Sequence, residues 1–295
     1  MASLRDIQNK ISAVKKTKQI TKAMNMVASA KLRKAQQSIE RFRPYAEKFY
    51  EMLGDMASKV DETAHPLLAK RDEIKTVGII VMTSDRGLCG SFNANQNKTA
   101  LRLAEEKKAE GKEVVFYAVG KRARDRIRKT DFKCAAEYAD QMTSFDFSFA
   151  NTVATEVIEA YLSGELDEVI MIFGEFISMA RQQPNILPIL PIQPAEAGAE
   201  EGEAAPGSTT EYIYEPDVKG LLAELLPRFI KVMVYRGMLD TSASEHAARM
   251  AAMDNATKAC DDMVGNLTLV YNKTRQATIT KELMDIVGGA EALKG

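Results

Sequence analysis

LRDIQNKISAVKKTKQITKAMNMVASAKLRKAQQSIERFRPYAEKF, residues 4–49, decides the fold by its spacing. Leu4, Ile7, Ile11, Val14, Lys18, Thr21, Asn25 and Ala28 fall alternately three and four residues apart. The same alternation continues through Leu32, Ala35, Ile39, Phe42, Ala46, Phe49, Leu53, Met56 and Val60. A stripe of this period, held over many turns, belongs to a helix wound against another helix. Pro44 is the one breaker in it, and it predicts a local bend or distortion. Ser3 stands ahead of the first periodic residue with Asp6 three positions on, a capping box in which Asp replaces Glu.

The far end of the chain repeats the pattern. Leu225, Phe229, Val232, Leu239, Ala243, Met250, Met253, Cys260, Val264, Leu267 and Tyr271 share one register, with Arg236 and His246 also on the seam. Pro216 and Asp217 read as the start of this second helix and Gly288–Gly289 as its end. So narrow an apolar stripe does not hold a long helix by itself, because packing supplies most helix stability. Each helix therefore needs a partner. The chain leaves one, builds an intervening domain and returns, so the pair is expected to be antiparallel, with the longer second helix projecting beyond the first. Lys18, Thr21 and Asn25 put polar groups on the seam. They either fix the register or mark where the pair opens or meets an enclosing protein.

Between the helices the period changes. KTVGIIVMT (75–83), residues 113–119 and residues 168–173 read as buried strands, with helices at 93–110, 121–129 and 147–163. Strand–helix alternation predicts a Rossmann-like α/β domain, a mostly parallel sheet with helices on both faces. ILPILPIQP (186–194) holds three prolines among aliphatics and reads as an extended edge. AEAGAEEGEAAPGSTT (195–210) has four Glu and no base, and reads as a mobile acidic loop. The fold class is thus α/β: a long antiparallel coiled coil, residues 1–60 and 217–295, with an inserted domain over 61–216.

Composition narrows the function. The 295 residues are 45% hydrophobic and 27% charged with a net charge of −1, which describes a folded, soluble protein. Three scattered cysteines, Cys89, Cys134 and Cys260, suggest neither a disulfide framework nor a soft-metal site. The N-terminus shows no hydrophobic run, and the longest apolar stretch, near Val77–Met82, is too short to cross a bilayer. Membrane insertion is not expected, and any membrane association would go through a partner. Residues 1–50 carry twelve Lys or Arg against three acidic residues. No stacking aromatics are interleaved with them, so a nucleic-acid surface is disfavoured against a solvated face or a contact with an acidic protein.

One loop invites a catalytic reading: TSDRGLCGSFN, 83–93, directly after the first strand. Gly87 and Gly90 are not followed by GK[ST], and the pattern is not GxGxxG, so neither a phosphate loop nor a dinucleotide loop is present. Cys89 could be a nucleophile, but His65 and His246, the two histidines, lie far from it in sequence. The plainer expectation is a tight turn packed against the helices, with Asp85 and Arg86 in surface or interface contacts. No cofactor and no metal are expected.

ITKAMNMVASAKLRKA (20–35), RPYAE (43–47), TSDRGLCGSFN (83–93), YIYEPD (212–217), SEHAARMAAMDNAT (244–257) and NLTLVYNKTRQATITKELMDIVGGA (266–290) are specific enough to name a family. Over essentially its whole length the chain resembles the gamma subunit of F-type ATP synthases, the central rotor stalk. The resemblance implies an antiparallel coiled coil inside a ring of alpha and beta subunits. It implies a globular base joined to the epsilon subunit and the membrane c-ring. Proton flow turns the stalk, and ATP is made on the surrounding ring rather than on this chain. The resemblance gives Met24 a place near the rotor–catalytic contact and gives Arg249, Gln276, Thr280 and Glu282 coupling roles in the coil and tip. It places the chain peripherally on the cytoplasmic side of a bacterial inner membrane. The competing readings are a coiled-coil scaffold or adaptor, then an enzyme built on the 85–89 loop.

The acidic segment lacks any apolar anchor, so removing 195–210 is expected to leave the thermal unfolding midpoint of the chain nearly unchanged. A large drop would show that these residues are packed.

Overall fold

A computed structural model of the chain describes residues 3–57, 65–69, 71, 73–192 and 218–292. The segment 195–210, Pro216 and Asp217 lie outside the described residues. The chain divides into two compact units, Met1–Ala28 with Arg249–Gly295, and Ser29–Ala248.

Two long helices contribute to both units: α1, Leu4–Ala57, and α5, Val218–Ala292. The capping box forms, since Asp6 N donates to Ser3 Oγ at 3.2 Å and Ser3 N to Asp6 Oδ2 at 3.1 Å. These bonds to Ser3 hold the Asp6 carboxyl below its ordinary pKa. Pro44 and Pro227 lie inside their helices. The helix end expected at Gly288–Gly289 is not there, because α5 runs on to Ala292. Glycine weakens a helix but stops it only where the backbone turns to positive φ, and neither glycine does.

In the first unit, α1 and α5 are antiparallel. Lys18 meets Asp261, Thr21 meets Thr257 and Asn25 meets Met250, numbers rising on one helix as they fall on the other. On α5 the partly covered residues Thr257, Cys260, Val264, Leu267, Tyr271, Thr274 and Thr278 continue the three–four alternation. The stripe on α1 follows it too: Ile7, Thr21 and Ala28 are buried and Leu4, Ile11, Val14, Lys18 and Asn25 half-buried.

The second unit is built on a five-stranded sheet in the order β3-β2-β1-β4-β5. Its elements are β1 Thr76–Met82, α2 Phe92–Ala109, β2 Glu113–Val119, α3 Lys121–Ile127, β3 Lys133–Tyr138, α4 Phe147–Leu162, β4 Glu168–Phe176 and β5 Gln182–Leu190. The first four strands are parallel and β5 runs antiparallel at the edge, where Pro184 and Pro188 are tolerated. The expected parallel core is present. The sequence reading lacked β3, whose KCAAEY has an alternating half-covered pattern and little β-branched content.

Each strand splits its side chains by the period of two. Val77, Ile79 and Val81 face α2 and α3 through Ala100, Ala104, Ala123 and Ile127. Ile80 and Met82 face the other way, into a core with Val153, Val157 and Tyr161 of α4, Leu226, Phe229 and Ile230 of α5, and Phe49 of α1. In this unit α5 is more than a striped helix. Between Phe229 and Ala247 it is buried on nearly every side, including Thr241, Ser242, Ser244 and Glu245. Aromatic rings join α1 to it, with Phe42 edge-on to Tyr235 at 4.9 Å and Phe49 stacked with Phe229 at 6.5 Å.

The lower edge of the sheet is tied by one carboxylate. Asp167 accepts from Lys75 N and Thr76 N, both at 2.9 Å, and from Arg71 Nη1 at 2.6 Å. Arg71 Nη2 also donates to Tyr161 O at 2.6 Å. Burial works against the charge on Asp167, but the backbone N–H groups and Arg71 outweigh it and hold the pKa below the ordinary 3.8. A depressed carboxyl stabilises the fold above its unfolded pKa and loses that stabilisation as pH falls through the folded value. Asp167→Asn is therefore expected to cost about 1–3 kcal/mol at neutral pH. In urea unfolding the gap to the wild type should narrow as pH falls below 3.8; a gap independent of pH would contradict the charge-based account.

Candidate functional site

The residues singled out for coupling occupy two places. Met24 and Arg249 lie in the polar stretch of the seam in the first unit, next to Asn25 and Met250, which are bonded to each other. Met24 is half-buried and Arg249 buried. Gln276, Thr280 and Glu282 are exposed, farther along α5. From Arg249 to Gln276 the helix rises about 40 Å, so the five residues do not form one pocket.

The polar seam residues all have partners on the opposite helix. The Lys18 ammonium pairs with the Asp261 carboxylate. Thr21 and Thr257 hydroxyls lie 2.8 Å apart, and Asn25 Nδ2 donates to Met250 O at 2.9 Å. Thr21 is also 3.0 Å from Lys18 O, and Thr257 2.8 Å from Met253 O. Two hydroxyl protons serve these three contacts, so one threonine donates across the seam while the other donates to its own helix. The exchange costs no unpaired group, because both arrangements satisfy every oxygen. These contacts favour the register reading of the polar seam over the reading in which the pair opens here.

Beyond Thr278 every described α5 side chain is exposed. Ile279, Leu283, Met284, Ile286 and Val287 are among them, at 49–68% exposure. At 100° per residue, Leu283, Met284, Ile286 and Val287 fall within an arc of about 160°, one broad face of the helix that Ile279 shares.

The 83–93 loop is a tight turn that acts as a latch in the second unit, and Asp85, expected with Arg86 in surface or interface contacts, is buried inside it. The Asp85 Oδ1 accepts from Lys121 N and Asp140 N, both at 2.9 Å. Thr83 Oγ1 accepts from Ala123 N at 2.8 Å, so the end of β1 holds the start of α3. Ser84 N donates to Asn93 Oδ1 at 3.0 Å, which fastens the loop to α2. Arg86 alone of the expected pair faces solvent. The turn depends on Gly120, where a Cβ would lie 2.3 Å from Thr83 O and φ is +97°. The Cys89 thiol is 1% exposed and receives Asn93 Nδ2 at 3.0 Å, so it is packed rather than presented to a substrate. His65 Nδ1 accepts from Leu67 N at 3.2 Å within its own turn. Among the described residues no group of three or more His, Cys, Asp or Glu could hold a metal, and no helix is long and apolar enough to cross a membrane.

The model of the ATP synthase family matches residues 3–293. The ATP synthase gamma chain of Nitratidesulfovibrio vulgaris strain Miyazaki F is 70% identical over 295 residues, covering all of both chains. Those of Maridesulfovibrio salexigens and Lawsonia intracellularis are 66% and 53% identical, again end to end. Among solved structures, a chain of the Euglena gracilis mitochondrial ATP synthase with F1 and c-ring, in rotational state 3, has the same fold. It superposes with a TM-score of 0.65 over 98% of this chain and 94% of that one, at 23% identity. A chain of the central stalk and c-ring structure from Tetrahymena thermophila matches with a TM-score of 0.58, 80% of this chain and 99% of that one.

The threonine pair gives a direct test of the seam. Replacing both Thr21 and Thr257 by Val is expected to leave stability unchanged or raise it, since matched apolar groups substitute well for a buried polar pair. Either single Val variant should lose about 0.5–1 kcal/mol, because the remaining hydroxyl keeps only its own helix carbonyl. A double-mutant cycle by urea unfolding reads this; additive losses would show that the two hydroxyls do not interact.

Proposed function

The chain belongs to the ATP synthase gamma chains, and from that premise we propose that it is the central rotor stalk of a proton-translocating F-type ATP synthase. In this reading the α1–α5 pair turns inside a ring of alpha and beta subunits. The α/β domain sits with the epsilon subunit on the membrane c-ring, at the cytoplasmic face of a bacterial inner membrane. The chain itself performs no chemistry; its asymmetry drives the catalytic sites of the ring through their states.

The exposed end of α5 carries this reading. A solitary segment of about a dozen residues is marginal as a helix in water. One that presents Leu283, Met284, Ile286 and Val287 uncovered on one broad face needs a surface of another protein over it, which the inner wall of an enclosing ring would supply. Next to the apolar tip, the exposed Gln276, Thr280 and Glu282 offer hydrogen bonds that can exchange partners as the stalk turns. Arg249, with several directional donors, would do the same at the level of Met24 and Asn25.

The test is made on the assembled complex. The untagged chain should purify with an alpha–beta ring, and Glu282→Ala or Arg249→Ala should lower proton-driven ATP synthesis while assembly persists. Glu282 is exposed, so its truncation isolates the contact from folding. Full synthesis and pumping by these variants, and by Gln276→Ala and Thr280→Ala, over a range of driving forces would sink the specific-contact account. The stalk would then act through its shape alone.

A further inference from the structure

Strands β1 and β4 run side by side as far as the Val81–Ile172 pair. Then β1 ends at Met82 while β4 continues to Phe176. Gly174 is the next β4 residue whose N–H and C=O face that side, and no strand is left to pair with it. Two hydroxyls of α5 complete the ladder instead. Gly174 N donates to Thr241 Oγ1 at 3.1 Å, and Ser244 Oγ donates to Gly174 O at 2.9 Å. Both side chains are fully buried.

The strand cannot move away from this contact. A Cβ at Gly174 would lie 2.5 Å from Phe92 Cε2, so α2 presses on β4 from behind. One turn before Thr241, Gly237 of α5 passes so close to the sheet that a Cβ would be 3.0 Å from Met171 Sδ and 3.3 Å from Met82 Sδ. The gap between the ends of β1 and β4 is where the strand order reverses, the place where doubly wound sheets take their ligands. Here that gap holds a helix.

We propose that Thr241 and Ser244, bonded to the Gly174 backbone, are the key by which the α/β domain holds α5 against turning about its own axis. The proposal rests on the rotor reading above and names where torque passes from domain to helix. Apolar packing is non-directional, so a helix that rolls on an apolar surface trades one set of contacts for another. Hydrogen bonds to a fixed backbone do not trade. A roll that displaces the short hydroxyls by about 1 Å breaks both bonds and leaves Gly174 unpaired in a dry interior. It also swings Cβ-bearing neighbours of Gly237 into Met171 and Met82.

The experiment compares two kinds of change at one position in the assembled complex. Thr241→Val keeps the shape and removes the hydroxyl; Thr241→Ser keeps the hydroxyl and removes a methyl. The double variant Thr241→Val/Ser244→Ala is expected to retain ATP hydrolysis. Protons pumped per ATP should fall about tenfold, the scale on which two buried hydrogen bonds shift a two-state balance. Thr241→Ser should pump as the wild type does. If the double variant pumps and synthesises normally, or if Thr241→Val is normal while Thr241→Ser fails, the key is not these bonds and the proposal is overturned. Should the double variant fail to assemble, Ser244→Ala alone gives the same reading, and unchanged pumping there overturns the proposal equally. A wild-type complex that shows no coupled synthesis would instead remove the rotor reading itself.

Discussion

A helix with an apolar stripe one or two residues wide is stable only where another surface covers the stripe, and here each end of the chain supplies that surface for the other. Everything else is arranged around this need. The inserted domain reverses the chain, so the pairing is antiparallel, and Lys18, Thr21 and Asn25 meet Asp261, Thr257 and Met250 across it. The short Thr and Asn side chains among them reach across only at one register. A slip by one residue would put Thr21 opposite a wrong face and strand its partner, which large aliphatics alone would not prevent.

Along α5 the covering surface changes. Past Thr257 the helix shows the narrow alternation of a two-helix seam, while from Phe229 to Ala247 it is buried on almost all sides. Sequence prepares both states. Where one helix does the covering, a single stripe spaced three and four apart suffices, whether its members are Leu267 and Tyr271 or Thr274 and Thr278. Where a sheet and a helix both press on α5, its residues become small: Gly237, Thr241, Ser242, Ala243, Ser244 and Ala247. Close approach removes room for side chains and brings backbone groups of the neighbour within reach of hydroxyls.

This difference explains what could be read from the sequence. The α1 stripe was legible residue by residue because its pattern is local, as were β1, β2 and the proline-marked edge strand. The strand β3 was not, since its placement comes from pairing with β2 and its own Ala and charged residues carry little strand preference. The sequence predicts surface or interface contacts for Asp85, because its actual partners, Lys121 N and Asp140 N, lie 36 and 55 residues away. The Thr241 and Ser244 bonds span 67 and 70 residues, and nothing in their neighbourhood announces them. The exposed roles of Gln276, Thr280 and Glu282 entered through family resemblance, as no spacing rule selects them from other polar residues on a helix.

The 83–93 loop shows why a motif must be weighed by its partners. Closely spaced glycines, an Asp and a Cys after a buried strand have the composition of an active-site turn, and the sheet order places them at the position where such turns act. Catalysis there would need groups with unused bonding capacity facing a space that a substrate can enter. Asp85 instead spends its near oxygen on two backbone N–H groups, Thr83 accepts from Ala123, and Cys89 is sealed beneath Asn93. The neighbouring gap between β1 and β4 is taken by Thr241 and Ser244. In the rotor reading proposed above, the helix that fills this crevice is what the domain grips, and the directional groups there orient a rod.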